Sequence, residues 1–77
     1  MKPFKISGNK NGVNLSIPDK ILTEGGAEYF ARVVVGNVEG NKTFALQQLI
    51  KMCKKHKRNL IINKEVKYAT LHSSRNA

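Results

Sequence analysis

Cysteine, acidic residues and long apolar runs are all scarce in this chain. Cys53 is the single cysteine among 77 residues, which excludes an intramolecular disulfide and indicates a reducing compartment. No apolar run approaches the roughly 18 residues that a membrane span needs. The basic N-terminal residues are not followed by the apolar segment of a secretory signal. We therefore expect a cytoplasmic protein.

The same scarcity argues against an enzyme. The five Asp and Glu residues are scattered along the chain without the paired spacing that general acid–base chemistry uses. Cys53, His56 and His72 lack the second cysteine that zinc sites usually carry. Cys53 is expected on the buried face of a helix and His56 outside that face, so they do not form a nucleophile–base pair. We expect no catalysis, no metal and no cofactor.

Basic residues, in contrast, are abundant and concentrated toward one end of the chain. The net charge is +9, and residues 42–77 carry nine Lys or Arg against a single acid, Glu65. Residues 1–41 carry five basic residues against four acids, which is nearly balanced. A one-sided basic surface on a small domain is typical of proteins that bind polyanions, most often nucleic acid.

The N-terminal half is predicted to be mainly β-structure. Residues 3–8 and 13–17 alternate apolar and polar side chains, which predicts two strands joined by a turn at Asn11-Gly12. Residues 19–24 predict a helical turn, which the following glycine pair ends. Residues 28–35 are rich in aromatic and β-branched types and predict a third strand.

The C-terminal half begins with the clearest helix, for which Thr43 is the expected N-cap and Asn59 the expected end. Its apolar face recurs at helical spacing and comprises Leu46, Leu49, Ile50 and Cys53. Residues 60–71 then predict either one long bent strand or a hairpin turning at Asn63-Lys64. In the hairpin, one face would carry Val66, Tyr68 and Thr70.

These elements predict the α+β class. We expect a small, mostly antiparallel β-sheet with one amphipathic helix packed on one face. The expected order is β-β-β-α-β, with a further strand if residues 60–71 form a hairpin. Residues 1–71 are expected to make a single domain, and residues 72–77 a disordered polar tail.

An alternative fold rests on two short segments. Residues 13–22 hold an alternating strand followed by Pro-Asp, and together with residues 40–50 they resemble a ribbon-helix-helix repressor. The resemblance implies a dimer whose two-stranded ribbon places Asn14 and Ser16 against DNA. Residues 23–38, with two adjacent glycines and three consecutive valines, favour the first fold over a helix at this position.

The candidate site is a set of cations in and beyond the predicted helix. No acid lies between Glu39 and Glu65, so helical ion pairs do not account for the lysines. Phosphate contact is the better explanation. The residues predicted to make it are Lys51, Lys54, Lys55, Lys57, Arg58, Lys64 and Lys67.

Aromatic residues and the first hairpin offer weaker candidates. Tyr68, on an amphipathic strand, is the best candidate to stack on a base. Lys10 at the hairpin tip is a further candidate for phosphate contact. The other aromatics, Tyr29, Phe30 and Phe44, are predicted to lie in the core.

The expected function is non-enzymatic binding of nucleic acid through its phosphate backbone. DNA or RNA, single or double strand, and formation of a homodimer are left open, and no membrane is expected as a partner. The alternative is a small interaction or inhibitor protein of the phage or mobile-element type. It would bind an acidic protein surface, or block the nucleic-acid groove of another protein, through an apolar patch around residues 29–35.

Overall fold

Along the chain, three helices lie between two β-hairpins. The computed structural model describes residues 3–9 and 12–69. Within these ranges the elements are β1 (Phe4–Asn9), β2 (Gly12–Ser16), α1 (Asp19–Gly25), α2 (Ala27–Val35), α3 (Lys42–His56), β3 (Leu60–Ile62) and β4 (Glu65–Tyr68). The predicted α+β class is confirmed, but the predicted order with one helix is wrong. Lys10, Asn11 of the predicted turn, Thr70 and the tail at residues 72–77 lie outside the described residues.

The four strands form one mixed sheet in the order β2-β1-β3-β4. β1 is antiparallel to β2, as the first predicted hairpin requires. β3 is antiparallel to β4, so of the two alternatives for residues 60–71 the hairpin is the one that forms. The central pair, β1 and β3, is parallel and places Ile6 beside Ile62. A parallel pair needs a long crossover, and here the three helices supply it.

The segment from Ala27 to Val35 is a helix, so the strand predicted over residues 28–35 is wrong. Its apolar residues Ala27, Phe30, Ala31 and Val34 follow the i, i+3, i+4, i+7 spacing of one helix face. Ala27 and Ala31 are fully buried in the core. The β-propensity of the three valines is outweighed because this apolar face packs on the sheet and on α3.

Gly26 is the single residue between the end of α1 and the start of α2. It ends α1, as the sequence predicted, and its φ of 68° is left-handed, which glycine adopts at little cost. Its carbonyl oxygen then accepts hydrogen bonds from the backbone N–H groups of Tyr29 and Phe30. The glycine pair is therefore a corner between two helices.

The helix α3 starts two residues before the predicted position. Asn41, not Thr43, is the N-cap, and its side-chain oxygen accepts a hydrogen bond of 3.0 Å from the Phe44 N–H. The helix ends at His56, ahead of the predicted Asn59, because Lys57 adopts a left-handed conformation. The predicted apolar face is confirmed, since its members lie in the core or pack against it.

The core lies between the helices and one face of the sheet. α2 contacts β1 and β2, whereas α3 contacts β3 and α2. Most of the buried residues form one cluster, which comprises Phe4, Ile6, Ile17, Ile21, Ala27, Ala31, Leu49, Cys53, Leu60 and Ile62. Side chains that alternate with them along β1 and β2 point to the other face, where Lys5, Ser7, Asn14 and Ser16 are exposed. We call this second surface the open sheet face.

This topology differs from the ribbon-helix-helix alternative. In that fold the strand at residues 13–17 would pair with the same strand of a second chain, whereas β2 pairs here with β1 of its own chain. Asn14 and Ser16 are nevertheless exposed, as that alternative expected, but on the open sheet face.

A β-bulge separates two residues that were predicted to share a face of β4. Val66 lies opposite Ile61 and Tyr68 opposite Leu60, with a register shift between the two pairs. Val66 is 57% exposed, whereas Tyr68 is half-buried and packs against the core. The common face predicted for Val66 and Tyr68 is therefore wrong.

Candidate nucleic-acid interface

The outer side of α3 carries a compact group of cations. Burial of Leu49 and Cys53 against the sheet turns the opposite side of the helix to solvent. Lys51 and Lys54 are exposed there, and the Lys55 side chain is 67% exposed. Since α3 itself contains no Asp or Glu, its cations have no acid on their own helix to pair with. The cations of the last turn also lie at the C-terminal, negative end of the helix dipole, which is a favourable position for positive charge.

One acid does reach this group, from a helix far away in sequence. Glu24 of α1 lies 3.3 Å from the Lys55 Nζ and 2.9 Å from the His56 Nε2. Hydrogen bonds from His56 and then Lys55 hold the pKa of Glu24 below its ordinary value. This pair joins two helices, so it is not one of the i,i+4 pairs that the sequence excluded within α3, but it does engage Lys55. Lys51 and Lys54 form no salt bridge within the described residues.

We expect Glu24→Gln to strengthen the binding of a single-stranded oligonucleotide. Removing the carboxylate releases Lys55 for phosphate contact, and one added contact raises affinity about fivefold at about 0.1 M salt. Fluorescence anisotropy measures this change. Glu28→Gln is the matched control, because Glu28 pairs with Arg32 on α2 and its loss changes net charge equally. An equal gain for both variants would show an effect of net charge alone.

The same substitution has a predictable pH dependence in folding. A carboxylate whose pKa is lowered by folding stabilises the folded state above its ordinary pKa, and this contribution disappears as the pH falls through the lowered value. Glu24→Gln should therefore unfold at lower urea than the wild type at neutral pH, and the difference should shrink steadily as the pH falls below the ordinary pKa of a Glu side chain. A difference that persists in acid would contradict the role of the ion pair.

Lys57 and Arg58 lie just beyond α3 but differ in exposure. Lys57 is exposed and adopts the left-handed φ of 56°, which ends the helix. Arg58 is half-buried, and its backbone N–H donates to the Cys53 carbonyl oxygen at 2.9 Å. Lys57 therefore extends the exposed cations of α3, and Arg58 lies closer to the core than the sequence suggested.

The structure places Lys64 and Lys67 away from this group. Lys64, at the turn between β3 and β4, lines a groove of about 530 Å³ on the open sheet face together with Lys5. Lys67 donates to Glu65 over 2.7 Å and lines a second groove near Lys42, at the other end of α3. The candidate site is therefore reduced to the cations of α3 and its C-terminal end, which the fold places together on one surface. We call Lys51, Lys54, Lys55 and Lys57 the basic face.

The aromatic residues are distributed differently from the prediction. Tyr68, the predicted stacking residue, packs against the core. Tyr29 and Phe44, predicted to be buried, are 51% and 52% exposed. Phe44 also precedes Lys51 by seven residues, which places both on one side of α3. The sequence contained this signal, since Phe44 falls outside the apolar series that starts at Leu46.

The described residues contain no group of acidic, His and Cys side chains that could hold a metal ion. Across residues 3–9 and 12–69, no helix combines the length and apolar character needed to cross a membrane. In comparisons with known proteins, no family model, no curated protein and no solved structure matches this chain.

Proposed function

We propose that this protein is a non-enzymatic nucleic-acid-binding domain that holds a phosphate backbone against the basic face. The observation that supports this most directly is that Lys51 and Lys54 are exposed and form no salt bridge with any residue in the ranges 3–9 and 12–69. Unpaired cations on one surface bring like charges together, and an anionic partner relieves that repulsion. Each lysine that neutralises a phosphate also releases condensed counterions, which favours binding.

The scaffold favours recognition of the backbone over recognition of bases by hydrogen bonds. Lysine provides a mobile point charge, whereas the guanidinium of arginine provides the planar fork that reads guanine. Among the described residues, the arginine that lies beside the basic face is Arg58, and its side chain is half-buried. We therefore expect binding that tolerates changes of sequence.

A salt titration tests this function. We expect labelled single-stranded DNA, duplex DNA or RNA to bind with micromolar or tighter affinity at low salt in fluorescence anisotropy. Because Lys55 is held by Glu24, three phosphate contacts in the wild type give a log–log slope against salt of about −2 to −2.7, depending on the strandedness of the ligand. Absence of binding to all three at about 50 mM salt would contradict the proposal, as would binding that salt does not weaken.

The open sheet face supports a second candidate, binding to an acidic protein surface. Its groove is lined by the partly buried Ile61 and by the exposed Lys5 and Lys64, and Val66, opposite Ile61, is exposed. An apolar centre with a charged rim is the usual arrangement of protein interfaces. This surface replaces the apolar patch expected at residues 29–35, where the structure has a helix. Such a complex would persist at salt concentrations that release nucleic acid.

A further inference from the structure

We infer that the bound nucleic acid is single-stranded, with bases stacked on Tyr29 and Phe44 while its phosphates lie along the basic face. This rests on the proposed function and adds the form of the ligand. The inference depends on three features of the surface. These are the exposure of the two rings, their fixed arrangement and their continuity with Lys51.

The three rings of α2 and α3 form one aromatic cluster. Phe30 lies between the other two, with ring centroids 5.5 Å from Tyr29 and 6.0 Å from Phe44. Both contacts are edge-to-face, with interplanar angles of 65° and 67°, so no ring of the cluster is stacked on another. Phe30 packs against the core, whereas the outer rings are about half exposed. The cluster therefore presents aromatic surface to solvent while its centre is anchored.

The loop before α3 restricts the position of the Tyr29 ring. The backbone at Gly40 approaches so closely that an added Cβ would lie 2.8 Å from Val33 Cγ2 and 3.2 Å from the Tyr29 hydroxyl oxygen. The Phe44 backbone is fixed because its N–H donates to the Asn41 side-chain oxygen, and its ring packs edge-to-face on Phe30. A platform that is ordered before binding loses less entropy when a base stacks on it.

The aromatic cluster and the basic face are neighbours on α3. Phe44 and Lys51 are separated by two helical turns, or about 10 Å along the axis. Glu28 is paired with Arg32 at 2.7 Å, so its charge is largely compensated. Glu39, in the loop before α3, is exposed and forms no salt bridge within the described residues. Because α3 itself contains no Asp or Glu, an anionic strand can follow its lysines toward the rings without meeting an acid of that helix.

This combination favours a single strand over other polyanions. Bases in a duplex are already stacked on one another, so rings on a helix surface cannot reach their faces. Unpaired bases offer those faces, and stacking of one base on an aromatic side chain changes affinity by about five- to a hundredfold. Exposed aromatic groups beside unpaired lysines match both the apolar bases and the anionic backbone of one ligand.

The decisive comparison uses two oligonucleotides with the same number of phosphates. One is a single strand of ~12 thymidines, and the other is an abasic strand of equal length, which keeps the phosphates and lacks the bases. We expect the thymidine strand to bind at least about fivefold more tightly than the abasic strand, and more tightly than a duplex of the same length. Equal affinity for the thymidine and abasic strands, or tighter binding of the duplex, would overturn the inference.

Variants at Phe44 assign the effect to the ring. Phe44→Leu keeps an apolar side chain against Phe30 but removes the aromatic face, so it should reduce thymidine-strand affinity about fivefold or more and leave abasic-strand affinity unchanged. Phe44→Trp should keep the stacking surface. Since the wild type has no Trp, all tryptophan fluorescence of this variant comes from position 44. Stacking of a base should quench that fluorescence, so the thymidine strand should quench it and the abasic strand should not. Val66→Ala, at a residue of similar exposure on the open sheet face, is the control and should change neither affinity.

The failures of the two proposals are distinguishable. If both strands bind equally with a steep salt dependence, the phosphate-binding function stands and the stacking inference fails. If neither strand nor the duplex binds at low salt, both fail. If Phe44→Leu weakens binding of the abasic strand as much as that of the thymidine strand, the residue supports the fold of the basic face and the stacking role is contradicted.

Discussion

Replacing Lys51 and Lys54 together with glutamine should weaken binding of a single-stranded oligonucleotide at least about 25-fold at about 0.1 M salt. Each phosphate contact with a single strand contributes about 0.7 to the salt slope and so about fivefold to affinity at this salt concentration. The slope should become shallower by about 1.4. Glutamine retains helix propensity close to that of lysine, so the fold of α3 should be unaffected.

The matched control removes the same charge from the other side of the sheet. Lys5→Gln with Lys64→Gln lowers the net charge equally but alters the open sheet face. Because both variants lose two positive charges, a nonspecific effect of net charge would weaken binding equally. A specific basic face predicts that the control loses less than about fivefold and keeps the wild-type slope. A larger loss in the control would move the nucleic-acid site to the open sheet face and contradict the assignment to α3.

Parts of the fold that depend on local pattern could be predicted from the sequence. The first hairpin follows from short alternating segments, and its strands lie close to the predicted positions. For residues 60–71 the sequence left a hairpin and one long strand open, and the hairpin is formed. The apolar face of α3 follows from spacing within one helix, and burial of Leu49 and Cys53 confirms it. Each of these features depends on the pattern of a few neighbouring residues, so one amino-acid sequence is enough to predict it.

The segment that forms α2 shows how two patterns can compete in the same residues. Three consecutive valines and two aromatics favour a strand by composition, whereas the spacing of Ala27, Phe30, Ala31 and Val34 favours a helix. Glu28 and Arg32, four residues apart and paired at 2.7 Å, fit the helix as well. The periodicity was the better guide because burial of a continuous face outweighs intrinsic preference.

The candidate site was less predictable, because contacts between distant segments decide it. Glu24 lies more than thirty residues before Lys55, and the sequence gives no sign that it ends beside the helix. Lys64 and Lys67 follow α3 closely in sequence, yet the turn and the edge strand carry them to other surfaces. The exposure of Tyr29 depends in the same way on how α2 packs. Charge along the chain indicates that a basic surface exists, and the tertiary fold determines its members.

The largest stability effect should come from Leu49, which is fully buried beneath α3. Leu49→Ala should reduce the free energy of unfolding by about 2 to 5 kcal/mol. A domain of this size has a total of only about 4 to 12 kcal/mol, so the loss is a large part of the stability. Urea unfolding followed by circular dichroism measures it directly.

Cys53 gives an independent measure of the same loss. Burial raises the pKa of its thiol to about 12, so the reactive thiolate is about a thousandfold scarcer than for an ordinary cysteine near neutral pH. Labelling of Cys53 by a thiol reagent must therefore proceed through molecules that open, and Leu49→Ala should accelerate it about 30- to 5000-fold, in proportion to the stability lost. Leu49→Met keeps the side-chain volume and should cost less than about 1.5 kcal/mol. Rapid labelling of the wild type, at a rate that Leu49→Ala leaves unchanged, would show that Cys53 is accessible in the native state and that α3 is not packed as described.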